Sequence, residues 1–207
     1  MITSRIFLYK MTVDNGGAPC VQDNLLSLAI CKPAIRRTAK TGDWLLGIGG
    51  KSLHGRLIYM AEVTETVDLG LYYSLSRYKE RKDCIYEFNE EGKLQVRRDA
   101  LYHEDGSSLA RDVGTPDASG RYPSARVLLS RNFCYLGRNG TAESLSSYPA
   151  LRDLLDGLTQ GHRVNHSPAV HAELNDLQSE LWSKKSPKND AEPSDPVPWM
   201  NRNARCK

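Results

Sequence analysis

One stretch constrains this chain more than any other. Trp44-Leu45-Leu46-Gly47-Ile48 is a short apolar run closed by Gly49-Gly50, and Gly55-Arg56-Leu57-Ile58-Tyr59-Met60-Ala61-Glu62-Val63-Thr64 follows it. Both runs are rich in residues that fit a pleated surface, and the turn formers between them predict hairpin partners. What precedes them is chemically different. In Cys31-Lys32-Pro33-Ala34-Ile35-Arg36-Arg37-Thr38-Ala39-Lys40, Pro33 suits the first position of a short helix, where a missing N–H costs nothing. Gly42 reads as the residue that ends that helix in a left-handed conformation. If 33–40 is helical, Lys32, Arg36 and Lys40 share one face with Arg37 beside them. Like charges at that spacing destabilise a helix by roughly 0.2–0.5 kcal/mol per pair. No carboxylate lies in the segment before Asp43. A structural carboxylate from elsewhere would relieve the repulsion, and so would a ligand phosphate.

The rest of the chain reads as a single domain with an extension. A strand is expected over 5–13, then a loop at Asp14-Asn15-Gly16-Gly17-Ala18-Pro19, because these are turn formers in series. Asn24 to Ile30 is apolar and fits a strand or a buried helix equally. Leu69 to Ser76 suits a short helix or turn, and the charged run Arg77 to Asp83 reads as solvated. Cys84 to Phe88 and Leu94 to Val96 flank a hairpin loop. Residues 99–124 lack periodicity and read as a long irregular loop, whereas 126–136 returns to strand chemistry. Leu151, Leu154, Leu155 and Leu158 follow helical spacing with Gly161 as the stop. Ser167-Pro168 starts another helix, with Leu174, Leu177, Leu181 and Trp182 as its apolar stripe. From Lys184 the chain is proline-rich and polar and is expected to be disordered. This order of elements predicts an α+β fold on a small curved sheet or β-barrel, with short flanking helices and C-terminal helices. The expected division is 1–165 for the main domain, 166–183 for a helix packed on it and 184–207 for the tail.

Bulk properties narrow the function classes. Among 207 residues, 28 Lys+Arg against 25 Asp+Glu leave a net charge of +3, so any nucleic-acid binding must come from local clustering. Five cysteines without a C-x-x-C pair predict reduced thiols and a cytoplasmic protein. No apolar run approaches membrane-spanning length, so no membrane partner is expected.

The catalytic signals are sparse. His162, His166 and His171 are spaced four and five apart, but Ser167-Pro168 breaks any helix between them, so no metal is expected. Cys31 and Cys134 are conceivable nucleophiles, yet each sits in an apolar run where a buried inert thiol is the usual outcome. Gly47-Ile48-Gly49-Gly50 lacks the lysine and hydroxyl of a phosphate loop, and no Gly-x-Ser-x-Gly elbow is present. No cofactor is implied. What remains is Asp14 and Pro19 in the loop, the Lys32/Arg36/Arg37 cluster, and Asp43-Trp44 at a strand start. Arginine forks suit phosphate oxygens, aromatic faces stack on bases, and a carboxylate accepts from an exocyclic amino group. Together these would make a base-plus-phosphate site. The same residues would equally serve the fold, an aspartate pairing with an arginine and Trp44 filling the core.

The pattern Cys31-Lys32-Pro33-x-Ile35-Arg36-Arg37-x-Ala39-x-x-Gly42-Asp43-Trp44-x-x-Gly47, preceded by Asp14-x-Gly16/Gly17-Ala18-Pro19, resembles the nucleotide modification associated domain of the second type. Arg56-Leu57-x-Tyr59-x-x-x-Val63-Thr64-Glu65 and Val127-Leu128-Leu129-Ser130-x-x-Phe133-x-Tyr135-x-Gly137 extend the resemblance over about residues 3–165. It implies an association with DNA-base modification and phage conflict. The Gly-Asp-apolar run also looks like PUA-like barrels (ASCH, EVE, YTH), which cradle modified bases. Two classes then stand open. One is a reader of a modified base or nucleotide. The other is a nucleotide- or nucleic-acid-acting hydrolase or transferase with Asp14 or Asp43 as general base.

Overall fold

A computed structural model describes residues 4–159, 161–183 and 191–194. Its eleven strands divide among three sheets. The largest runs β10-β5-β4-β1-β11, comprising Asn132–Tyr135, Leu57–Glu62, Trp44–Gly49, Ile6–Met11 and His162–Arg163. A second runs β2-β3-β9-β6, comprising Cys20–Gln22, Leu25–Leu28, Val127–Ser130 and Glu65–Val67. The third is the hairpin of β7 (Tyr86–Phe88) and β8 (Leu94–Val96). The fold is α+β, and among the described residues its sheets do not close into a barrel.

The expected hairpin is present: β4 and β5 pair antiparallel, with Trp44 opposite Glu62 and Gly47 opposite Tyr59. β1 lies parallel to β4, from Ile6 beside Trp44 to Met11 beside Gly49. Buried on both faces, β1 sends alternate residues to two cores. Ile6 and Leu8 join Leu46 and Met60 under the helices α3 (Pro149–Gly157) and α4 (Pro168–Ser183), whose Leu151, Leu174 and Leu177 complete that core. Phe7, Tyr9 and Met11 face Leu26, Leu28 and Leu128 of the second sheet.

The strand expected over 126–136 is two strands in different sheets. β9 pairs with β3 and β6, and after one residue, Arg131, β10 pairs with β5. β5 and β6 make the same crossing at Thr64, whose hydroxyl accepts from Arg131 N at 3.1 Å while its own N–H reaches Leu129 O at 2.8 Å. Strands that switch sheets at such a bend form the corner of a sandwich. The apolar stretch at 24–30 resolves as strand β3, the neighbour of β9.

Boundaries shift where local rules compete. α1 spans Pro33–Thr38, and Ala39 leaves it in an extended conformation, earlier than the glycine stop expected at Gly42. Gly42 is nonetheless left-handed, at φ +89°, in the turn that feeds β4. A Cβ there would meet only Ser4 Oγ, at 3.8 Å. Gly42→Ala therefore acts through backbone conformation, not collision. We expect it to lower the denaturant midpoint by the equivalent of about 1 kcal/mol; an unchanged midpoint would refute the positive-φ requirement. α3 ends at Gly157, before the expected Gly161. α4 begins as expected, with Ser167 Oγ accepting from Val170 N at 3.3 Å and Pro168 in the first turn.

Two stretches differ from their reading. The run Arg77 to Asp83, expected to be solvated, buries Tyr78, Arg81 and Asp83. Arg81 donates to the carbonyls of Gln22, Cys20 and Leu25 and to Ser27 Oγ, and Ser27 and Tyr72 hydroxyls donate to Asp83. The irregular stretch at 99–124 contains a five-residue helix, α2 (Leu109–Val113). Among the described residues no helix is long and apolar enough to cross a membrane. The expected tail at 184–207 lies outside the described residues except for 191–194.

Candidate functional site

The two acids nominated from sequence lie at opposite ends of the central strand pair. Asp43 immediately precedes β4, whereas Asp14 lies beyond the end of β1. Because β1 and β4 run parallel in register, a six-residue strand separates them, roughly 20 Å at ~3.3 Å per residue. Asp43 pairs with Arg5 and accepts from Lys40 N at 2.8 Å, while Arg5 also donates to Thr38 O at 2.8 Å. This clasp ties the end of α1 to the start of β4. Trp44 is in the core, edge-on to Trp182 with ring centroids 5.3 Å apart.

The basic cluster on α1 divides three ways. Arg36 is fully buried and donates to three carbonyls at 2.7 Å each: Nε to Cys31 O, Nη1 to Arg126 O and Nη2 to Asp112 O. Asp112 is the structural carboxylate that answers its charge, with Oδ1 3.7 Å from Nη2. Arg37 is exposed and lines an open cleft of ≈ 600 Å³ with Asp68, Leu69, Pro123, Ser124 and Arg126. Lys32 is half-buried, with Nζ 5.0 Å from the centre of the Tyr9 ring. Burial, with Arg111 nearby, lowers its pKa from the ordinary 10.5. No carboxylate pairs with Lys32 among the described residues.

Asp14 lies close enough to the same tyrosine for its charge to act on the phenol. Tyr135 OH donates to Asp14 Oδ1 at 2.9 Å, and Ser194 donates to Oδ2 through both its N–H and its hydroxyl at 2.8 Å. Tyr9 and Tyr59 hydroxyls meet at 2.6 Å, and burial pushes both phenols upward. Pro19 is buried and follows a cis peptide bond. The glycine at 17 has a local cause: a Cβ would lie 3.0 Å from the Tyr102 ring, whose hydroxyl donates to Asn15 O at 3.1 Å. Thus Asp14 and Lys32 share one region, and Tyr102 brings the 99–124 stretch onto it.

That stretch supplies residues that sequence reasoning missed. His103 Nε2 lies 3.6 Å from Cys31 Sγ, and His103 Nδ1 lies 2.8 Å from Asp112 Oδ2. Asp112 also accepts from Cys31 N and from Tyr86 OH, both at 2.9 Å. Burial works to raise the Asp112 pKa, but the hydrogen bond and charge of His103, the Arg36 charge and the Tyr86 hydrogen bond outweigh it. The net shift is downward. Cys20, Cys84 and Cys134 are buried and in no disulfide, whereas Cys31 is disulfide-bonded, so the expectation of uniformly reduced thiols fails there. The three histidines of the metal-like spacing are apart: His162 lies opposite Tyr9 in β11, His166 Nε2 contacts Ile6 O at 2.8 Å, and His171 contacts Asn175.

A family model described as nucleotide modification associated domain 2 matches residues 3–203. No curated protein and no solved structure matches the chain.

Proposed function

Because this chain belongs to the nucleotide modification associated domain 2 family, we propose that it binds a nucleotide, free or within a nucleic-acid strand, and recognises a modified base. The role is in DNA-base modification or conflict with phage. The observation that carries this reading is Lys32. An ammonium held half-buried against an aromatic face, without a carboxylate among the described residues, is an anion site awaiting its charge. A phosphate supplies that charge. Asp14, whose charge also acts on Tyr9, is the acceptor for base amino groups, and Ser194 now bonds to it. Arg37, in the open cleft, takes a backbone phosphate of a longer strand. Arg36 stays with the fold. Asp43, engaged by Arg5 and Lys40, is a poorer general base than the sequence suggested.

Titrating the purified protein with modified and unmodified nucleosides, nucleotides and short oligonucleotides tests the reading. Lys32→Met should weaken nucleotide binding about tenfold or more, the equivalent of a charge-assisted hydrogen bond, and leave nucleosides little affected. Arg37→Ala should flatten the salt dependence for oligonucleotides by about one unit. Lys32→Met should also raise the thermal midpoint of the unliganded protein. The folded state disfavours the ammonium, so the penalty is full below the lowered pKa and fades as pH rises toward 10.5. Equal binding of nucleosides and nucleotides, unchanged by Lys32→Met, would refute the site.

A further inference from the structure

The Cys31, His103 and Asp112 side chains sit in the order of a nucleophile, its base and the group that orients the base. We propose that they form a thiol acyl-transfer site, active once Cys31 is reduced, whose substrate is a nucleotide bearing an amide- or ester-linked acyl group. The identity of that carrier rests on the nucleotide-binding reading above; the thiol site itself rests on geometry.

Four observations bear on it. The spacing is 3.6 Å from Cys31 Sγ to His103 Nε2 and 2.8 Å from His103 Nδ1 to Asp112 Oδ2, so one imidazole stands between the Cys31 sulfur, here in its disulfide, and the carboxylate. Asp112 is wholly buried and fixed by Tyr86 OH and Cys31 N, so it holds the ring and does not wander. The backbone is strained at two of the three groups and beside one of them: Cys31, its neighbour Lys32 and His103 have φ of 58°, 44° and 54° without being glycine. Strain of this kind persists only where surrounding structure over-determines it, and it gathers at functional sites. Finally, Arg36 bonds Cys31 O and Asp112 O with one guanidinium, which fixes two members of the set relative to each other. Arg36 is a positioning residue on this account.

The disulfide at Cys31 sets the entry condition. A dithiol reductant delivers two electrons to the sulfur pair, is itself oxidised to a disulfide, and leaves Cys31 as a thiol. Cys31 Sγ then passes its proton to His103 Nε2 and its electron pair to the acyl carbon. The bond from that carbon to nitrogen or oxygen breaks, and the nucleotide leaves with the bonding pair and the proton from His103. A water that gives its proton to His103 attacks the thioester carbon. The S–C bond breaks, the carboxylic acid leaves, and the thiolate recovers the proton.

Alkylation by iodoacetamide after reduction with dithiothreitol tests the site without any nucleotide. Cys20, Cys84 and Cys134 serve as internal references; burial pushes the Cys84 thiol up to about 11 and Cys20 higher. The charged or titratable groups around Cys31 are His103, Asp112, Lys32, Arg36, Arg111 and Tyr86. Site-resolved mass spectrometry should show Cys31 alkylated at pH 6–7 at least tenfold faster than the three references. His103→Gln should move its profile to that of an ordinary thiol. Reduced protein should also release a burst of nitrophenol from p-nitrophenyl acetate, equimolar with enzyme and absent in Cys31→Ser. The wild-type profile needs no variant, so misfolding of a variant does not shield the proposal. If Cys31 reacts no faster than the references and no burst appears, the thiol site is overturned even when nucleotides bind. Selective alkylation and a burst in a protein that binds no nucleotide would keep the thiol site and remove the nucleotide as carrier.

Discussion

Arg36→Ala should unfold this protein at markedly lower denaturant, with a loss on the order of 3–5 kcal/mol, the range for breaking a buried charged network. The guanidinium is fully buried, and its removal leaves the carbonyls of Cys31, Arg126 and Asp112 without their donor. Each buried unsatisfied group costs about 1–3 kcal/mol, and the vacated volume adds to it. The bonds also join distant parts of the chain, α1 to the strand entry at 126 and to α2, so local relaxation cannot replace them. Arg36→Lys should recover little, because one ammonium on a flexible stem cannot reproduce a planar fork aimed at three oxygens. Urea midpoints of the wild type and both variants decide the matter. A variant that keeps its midpoint and loses nucleotide binding would return Arg36 to the ligand.

The hairpin of β4 and β5 was legible in sequence because its information is local: an apolar run, two glycines and a second run, with the β-rich composition that a pleat requires. The start of α4 was legible for the same reason, since a cap and a proline act within one turn. The basic turn of α1 was not. Lys32, Arg36 and Arg37 look alike in sequence, yet one is half-buried over Tyr9, one is interior and one lines an open cleft. What separates them is Asp112, 76 residues beyond Arg36, and no spacing rule spans that distance. The run at 77–83 failed likewise. Its charge suggested solvent, but Arg81 finds the carbonyls of 20, 22 and 25 in a hairpin formed far upstream. His103 and Asp112 lay in a stretch without periodicity, which is where site residues carried by loops leave no pattern. Of the nominated residues, Asp14 and Lys32 converge because the end of β1 and the entry to α1 both abut Tyr9, whereas Asp43 and Trp44 sit at the other end of the sheet. Strand direction decides that, and sequence alone did not give the parallel pairing of β1 with β4.

Asp112→Ala should match Arg36→Ala in size at neutral pH and differ from it in acid. The carboxylate takes hydrogen bonds from Cys31 N, Tyr86 OH and His103, and it lies beside the buried Arg36 guanidinium. Alanine would strand those donors and leave the guanidinium charge unanswered, a loss of about 3–5 kcal/mol. The sign of the pH dependence follows from the lowered pKa of Asp112 in the folded protein. A carboxylate with a depressed folded pKa binds its proton less readily folded than unfolded, so its stabilisation is full above the ordinary value of 3.8. That stabilisation disappears as pH falls through the depressed value. The gap between wild type and Asp112→Ala should therefore be constant from pH 7 to pH 5 and narrow below about pH 4. Asp112→Asn should fall between them, because its amide oxygen keeps one or two acceptor bonds while its NH₂ faces other donors. Urea titrations at pH 7, 5 and 3.5 would show the gap. If it stays constant to pH 3.5, the carboxylate is not held ionised by His103 and Arg36. In the double variant with Arg36→Ala, the two losses should fall short of additivity by roughly 0.5–3 kcal/mol, since each replacement removes the partner that made the other costly.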